Sequence, residues 1–191
     1  MNDLVPNPAG TALLLMDLQE GIVGRHPDAD SFLAGLLRAR EAARAAGLTV
    51  GYVRVALTAE EAERIPATSR FAGAGARLDA DSPATQIDAR IAPAEGEIVV
   101  RKKRVGAFST TDLGEQLDAR GVDTLVLAGL VTSGVVLSTV RDAADRDYRL
   151  VVLEDGCWDS DPEVHRVLTE KVFARGGVTV TSIDDFIASL A

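Results

Sequence analysis

Six short apolar runs, each closed by turn residues, constrain this chain more than any other feature: residues 12–16, 48–55, 98–100, 124–127, 150–153 and 178–180. Apolar residues dominate each run and are mostly consecutive, with Thr49, Arg54 and Thr179 as interruptions. A strand with one wet face alternates apolar and polar side chains, so continuous runs read as strands covered on both faces, the signature of a parallel sheet between helical layers. The segments between them carry helical spacing. Residues 31–46 place Phe32, Leu33, Leu36, Leu37 and Ala43 on one side with arginines opposite, and stop before Gly47. Residues 134–145 repeat Val135, Val136, Thr139, Val140, Ala143 and Ala144 at the same spacing, directly after a strand. Asp161-Pro162-Glu163 opens another helix with N-cap chemistry. The expected fold is α/β: a three-layer α-β-α sandwich around a six-stranded parallel sheet, Rossmann-like in plan. Residues 58–90 are rich in Ala, Gly, Pro and charge without a firm period. They are predicted to cross the surface near one sheet edge, where such a stretch shapes a pocket. With no internal repeat and no break in composition, residues 1–191 read as one domain.

Charge and cysteine content narrow the function classes. A net charge of −9 opposes any surface that binds by neutralising phosphates, and no basic cluster is interleaved with aromatics, so nucleic acid is not expected as a partner. One cysteine, Cys157, cannot form an intrachain disulfide, and nothing requires an oxidising compartment. Residues 1–10 lack a basic start followed by an apolar run, and residues 12–16 are too short to span a bilayer, so a cytoplasmic protein without membrane attachment is expected.

In an open parallel sheet, ligands bind beyond the carboxyl ends of the strands. There the first strand presents Asp17-Leu18-Gln19, the third Arg101-Lys102-Lys103, and the fourth a Gly129-Leu-Val-Thr-Ser-Gly134 turn entering a helix. A carboxylate and an ammonium sharing a desolvated cleft can hold and deliver a proton, which fits Asp17 and Lys102. The same pair could equally be a structural ion pair, and spacing alone leaves both readings open. Backbone N–H groups of the turn Val131, Thr132, Ser133 and Gly134 could hold an oxyanion or carboxylate, or serve only as a helix entry. Gln19, Arg54, Arg70, Phe71, Arg104 and Phe108 are candidates for the crevice rim. An arginine there would favour a carboxylate-bearing ligand, although surface arginines and core phenylalanines account for them as well.

These pieces stand in the order and spacing of the isochorismatase-like, or cysteine hydrolase, superfamily. The residues that carry the resemblance are Leu15-Met16-Asp17-Leu18-Gln19, Lys102-Lys103-Arg104-Val105-Gly106-Ala107-Phe108, Gly129 to Gly134 with Arg141-Asp142-Ala143, and Asp155 with His165. It covers the chain from about Thr11 to Phe186. The resemblance implies a triad of Asp, Lys and Cys with Asp17 and Lys102 as the first two members. It maps the nucleophile to Val135 and a non-proline cis peptide to Val131-Thr132. Valine has no nucleophilic atom, so thiolate attack from this position is excluded.

The other nucleophiles are weak substitutes. Cys157 lies beyond the fifth strand, where the resemblance implies a small structural residue. Thr132 and Ser133 would need a base within hydrogen-bond reach. His26 in a polar loop and His165 on a helix face suit packing or capping. Nicotinamidase-like members hold a metal through Asp-x-His after the second strand, where this chain reads Val53-Arg54-Val55-Ala56-Leu57, so neither metal nor other cofactor is expected. True isochorismatases resemble this chain in lacking the cysteine while keeping Asp and Lys, the Asp protonating a vinyl ether. That implies a cysteine-independent hydrolase with a small-molecule substrate. The turn Thr132-Ser133-Gly134-Val135-Val136 departs from their pattern, so a substrate other than isochorismate is expected. Two alternatives are direct activation of water by Asp17 and a catalytically silent binding or regulatory protein. The resemblance also implies a homodimer or larger homo-oligomer.

Overall fold

The computed structural model describes residues 4–190; the first three residues of the N-terminal stretch read above lie outside the described residues. The strands are β1 (Thr11–Met16), β2 (Thr49–Val55), β3 (Ile98–Lys102), β4 (Thr124–Leu130), β5 (Arg149–Trp158) and β6 (Thr179–Thr181). They form one six-stranded sheet in the order β3-β2-β1-β4-β5-β6, every neighbouring pair parallel. The α-helices are α1 (Glu20–Val23), α2 (Ala29–Ala45), α3 (Ala59–Glu63), α4 (Leu113–Asp118), α5 (Leu137–Ala144), α6 (Pro162–Val167) and α7 (Ile183–Ser189).

The continuous apolar character of the strands follows from two separate cores. Ala12, Leu14 and Met16 of β1 face one cluster, with Leu113, Leu117, Val136 and Val140 from α4 and the α5 region. Leu13 and Leu15 face the other, with Leu33, Leu36 and Ala39 of α2 and Phe186 of α7. Every residue of β1 and of β4 is buried. Burying both faces at roughly 25 cal/mol per Å² of apolar surface is the main source of stability for such a sheet.

The strands extend further than hydropathy alone indicates. β4 runs on to Leu130 because Ala128, Gly129 and Leu130 continue the apolar run. β5 passes through polar Glu154 and Asp155 and regains β4 beyond a register shift between Leu127 and Gly129, so that Leu130 pairs with Trp158. The segment 58–90 bridges to the chain just beyond β1 and β2, Ile87 with Gln19 and Asp79 with Leu57, and contains a helix that hydrophobic period does not reveal. Thr58 accepts from Glu61 N–H while the Glu61 side chain accepts from Thr58 N–H, a reciprocal cap that starts α3. The helix after β4 opens as a wider π-type turn over Thr132–Val136 before α5 begins at Leu137.

The order of the strands reverses between β1 and β4, which opens a crevice beyond their carboxyl ends. Gly129 holds that junction: its φ of 150° suits glycine, and a Cβ there would collide with the Met16 carbonyl on the adjacent strand. Gly129→Ala is therefore expected to lower unfolding stability by more than about 3 kcal/mol, read from urea denaturation. A cost below about 1 kcal/mol would show that the β1–β4 contact relaxes freely.

Candidate functional site

Asp17 follows the last residue of β1 and Lys102 is the last residue of β3, so β2 lies between them in the sheet. The long ammonium arm crosses the end of β2, and Lys102 Nζ donates to Asp17 Oδ2 at 2.8 Å. It also donates to the Val105 carbonyl at 2.9 Å and the Arg104 carbonyl at 3.3 Å. An ammonium has three N–H donors, and all three find acceptors. Asp17 is tied at its backbone, donating to the Val53 carbonyl at 2.7 Å, and adopts φ 56°, a left-handed conformation that costs a side-chain-bearing residue about 1 kcal/mol.

The carboxylate is not completed in the same way. Asp17 Oδ1 is buried without a hydrogen-bond partner. Burial raises the pKa of this carboxyl to about 6, and the charge and hydrogen bond of Lys102 offset part of that rise. An acid poised near neutrality with one free oxygen can give or take a proton.

That carboxyl opens into a cavity of about 380 Å³, at the small end of the range for small-molecule sites. Leu130, Val131, Gly134 and Val135 form one wall, Ile22, Val55 and Trp158 add apolar surface, and Arg25, Arg70, Phe71 and Arg77 stand with them around the space. Val135 is buried and contributes only hydrocarbon.

The turn behind that wall is braced from its other side. Thr132 Oγ1 shares a hydrogen bond with His165 Nδ1 at 2.8 Å, and Ser133 N–H donates to buried Asp159 Oδ2 at 2.8 Å. Gly134 N–H donates to the Val131 carbonyl at 3.0 Å. The Ser133 and Gly134 N–H groups are thus occupied within the protein, and neither the Thr132 nor the Ser133 side chain lines the cavity. Non-proline cis geometry falls at Leu130-Val131, one residue earlier than the expected Val131-Thr132, where β4 ends.

A profile of the isochorismatase domain matches residues 11–184. The chain belongs to the isochorismatase family. The isochorismatase family protein YecD of Escherichia coli O157:H7 is 35% identical over 196 residues, covering 96% of this chain and 98% of that protein. An N-carbamoylsarcosine amidase from Arthrobacter sp is 33% identical, over 72% of this chain and 53% of its own length. Among solved structures, an isochorismatase family protein from Burkholderia thailandensis superposes with a TM-score of 0.86 at 27% identity, covering 96% of each chain.

Several candidate residues of this isochorismatase-family chain sit elsewhere than expected. Phe108 is buried in the core, stacked at 5.8 Å on Tyr148 with Arg146 over its ring at 4.7 Å, and does not reach the cavity. Arg54 does not line the cavity and donates to the Thr85 carbonyl at 3.0 Å, while Arg104 stands one layer back, 5.8 Å from the Phe71 ring. Gln19 lines the cavity, but its amide is spent on the protein: Nε2 donates to Val55 O at 2.9 Å and Thr85 O at 2.7 Å, and Oε1 accepts from Val55 N–H at 2.8 Å. Arg25, Arg77 and Trp158 were not singled out by sequence, because an exposed loop arginine or a strand-end tryptophan carries no periodic or motif signal. Cys157 lines a different cavity beside His26 and Phe32, and burial pushes its thiol up to about 12. Among the described residues no three His, Cys, Asp or Glu side chains form a potential metal site, and no helix is long and apolar enough to cross a membrane.

Removing the Gln19 amide would strand the Val55 N–H and the Val55 carbonyl, while the Thr85 carbonyl keeps its bond from Arg54. Gln19→Ala is expected to cost about 2–4 kcal/mol in chemical denaturation, and a loss below about 1 kcal/mol would mean that water replaces the amide. Cys157 is expected to resist a thiol reagent at pH 8 in the folded protein and to react promptly in denaturant; fast labelling of the native chain would contradict its burial.

Proposed function

We propose that this protein is a cysteine-independent hydrolase of the isochorismatase family that acts on a small, carboxylate-bearing molecule through the Asp17–Lys102 pair. The observation that carries this reading is the asymmetry of the pair: Lys102 has every donor matched, while Asp17, which lines the cavity, keeps one buried oxygen without a partner. Protonated Asp17 gives its proton to the terminal carbon of a vinyl ether. Water then adds to the resulting oxocarbenium carbon, and the hemiketal collapses with cleavage of the ether C–O bond. The products are a carbonyl compound and an alcohol, and the proton returns to Asp17. Lys102 holds the carboxyl in place and stabilises its anionic form after transfer.

Val135 takes the position that the family resemblance gives to the nucleophilic cysteine. Without a thiol there the route has no thioester, and the valine contributes an apolar wall that strengthens the electrostatics of the neighbouring pair. The other cysteine chemistry on offer is poor: Cys157 lies outside this cavity with its thiol held in the neutral form.

The test is a turnover screen of the natural protein against isochorismate, other vinyl ethers, small amides, ureides and esters, with Val135→Cys and Asp17→Asn alongside. Asp17→Asn is expected to lower kcat by roughly 10²–10⁴-fold. The acid form is the competent one, so kcat/KM should hold level below about pH 6 and fall about tenfold per pH unit above it. Amide cleavage confined to Val135→Cys would overturn the proposal and mark the natural protein as a binding member of the family. Full activity in Asp17→Asn would remove Asp17 from the mechanism.

A further inference from the structure

The cavity that holds Asp17 has a charge pattern opposite to that of the whole chain. The protein carries a net charge of −9, yet the charged residues around the cavity are Asp17, Lys102, Arg25, Arg70 and Arg77. Asp17 and Lys102 are joined to each other, which leaves three arginines, each exposed to solvent, around the edge of one small space. Some arginines of this chain are held by carboxylates, Arg44 by Glu97, Arg90 by Asp88 and Arg101 by Glu61, while others such as Arg149 and Arg175 have no such partner among the described residues. Among the described residues Arg25, Arg70 and Arg77 have neither a salt bridge nor a side-chain hydrogen bond to the protein. Arg25 follows α1, and Arg70 and Arg77 belong to the segment between α3 and β3, so two separate stretches of chain bring cations to the same cavity.

We propose that Arg25, Arg70 and Arg77 form an anion-recognition rim whose substrate is a small dicarboxylate with an apolar body. This deepens the hydrolase reading and rests on it for the word substrate. One carboxylate is satisfied by the paired donors of one guanidinium, so three unpartnered guanidiniums exceed what a monoanion can use. The cavity walls of Ile22, Leu130, Val131, Val135 and Trp158 supply the surface for the hydrocarbon part. A cationic mouth on an acidic protein also raises the local concentration of anions that the rest of the surface repels. Arg70 and Arg77 are specificity-determining residues here, and neither reaches the proton transfer itself.

The chain has a single tryptophan, and it lines this cavity, so the emission of Trp158 reports on the site directly. The natural protein is titrated with succinate, maleate and glutarate, with butyrate as the monoanion and dimethyl succinate as the neutral ester. The dicarboxylates are expected to shift the emission saturably, butyrate to bind roughly tenfold more weakly or worse, and the ester to leave it unchanged. Arg70→Gln with Arg77→Gln should weaken dicarboxylate binding by about tenfold or more, and added salt should weaken it in the natural protein. Asp17→Asn should keep the binding while losing turnover. Equal response to diacid and ester, no response to any diacid, or binding untouched by the arginine substitutions would overturn the proposal. Saturable dicarboxylate binding without turnover of any compound would overturn the hydrolase reading and leave the anion rim standing.

Discussion

A buried ammonium beside a buried carboxylate governs the architecture around it. Each charge would be expensive alone in this environment, and the pair is tolerable only with close geometry and matched hydrogen bonds. Lys102 meets that demand with three acceptors drawn from Asp17, Val105 and Arg104. The residues after β3 must therefore turn back beneath the ammonium, and β1 must end where its next side chain meets an arm reaching past β2. What remains unmet is one buried oxygen of Asp17, a residue that lines the cavity.

The parallel sheet makes that meeting possible without long loops. Because β1 and β4 are neighbours whose crossovers leave in opposite directions, the crevice between their ends is unobstructed, and the β4 exit supplies a wall in the same place. The wall is kept still from outside. Asp159 takes the Ser133 N–H and His165 meets Thr132, and Asp161 links the two by capping α6, the helix that bears His165. The backbone polarity of the turn is directed largely at the protein, leaving hydrocarbon on the cavity side.

The positions of all six strands were legible because two-sided burial writes itself as mostly consecutive apolar sequence. The far half of β5 was not, since Glu154 and Asp155 are exposed and pass through a register shift that no hydropathy window registers. Within the site, Asp17 and Lys102 could be named from strand ends and family resemblance, but their contact depends on how far a side chain reaches across β2. Phe108 and Arg54 were misplaced for a common reason. Sequence gives a residue's distance from a strand end without the direction of its side chain, and these two turn toward Tyr148 and toward the Thr85 carbonyl. Arg25 and Arg77 look like any solvated arginine until the fold brings their two segments to one cavity.

Two positions beyond Asp17, Gln19 binds Val55 from both sides and the Thr85 carbonyl with the same amide. The acidic carboxyl and the clamp on the cavity's outer loop are thus fixed to one short piece of backbone. Movement of the loop around Thr85 would be transmitted through two peptide units to the carboxyl, so the site behaves as a rigid jaw at this side. Changes in ligand preference within such a scaffold are most easily accommodated by the stretch that carries Arg70 and Arg77, which the clamp does not hold.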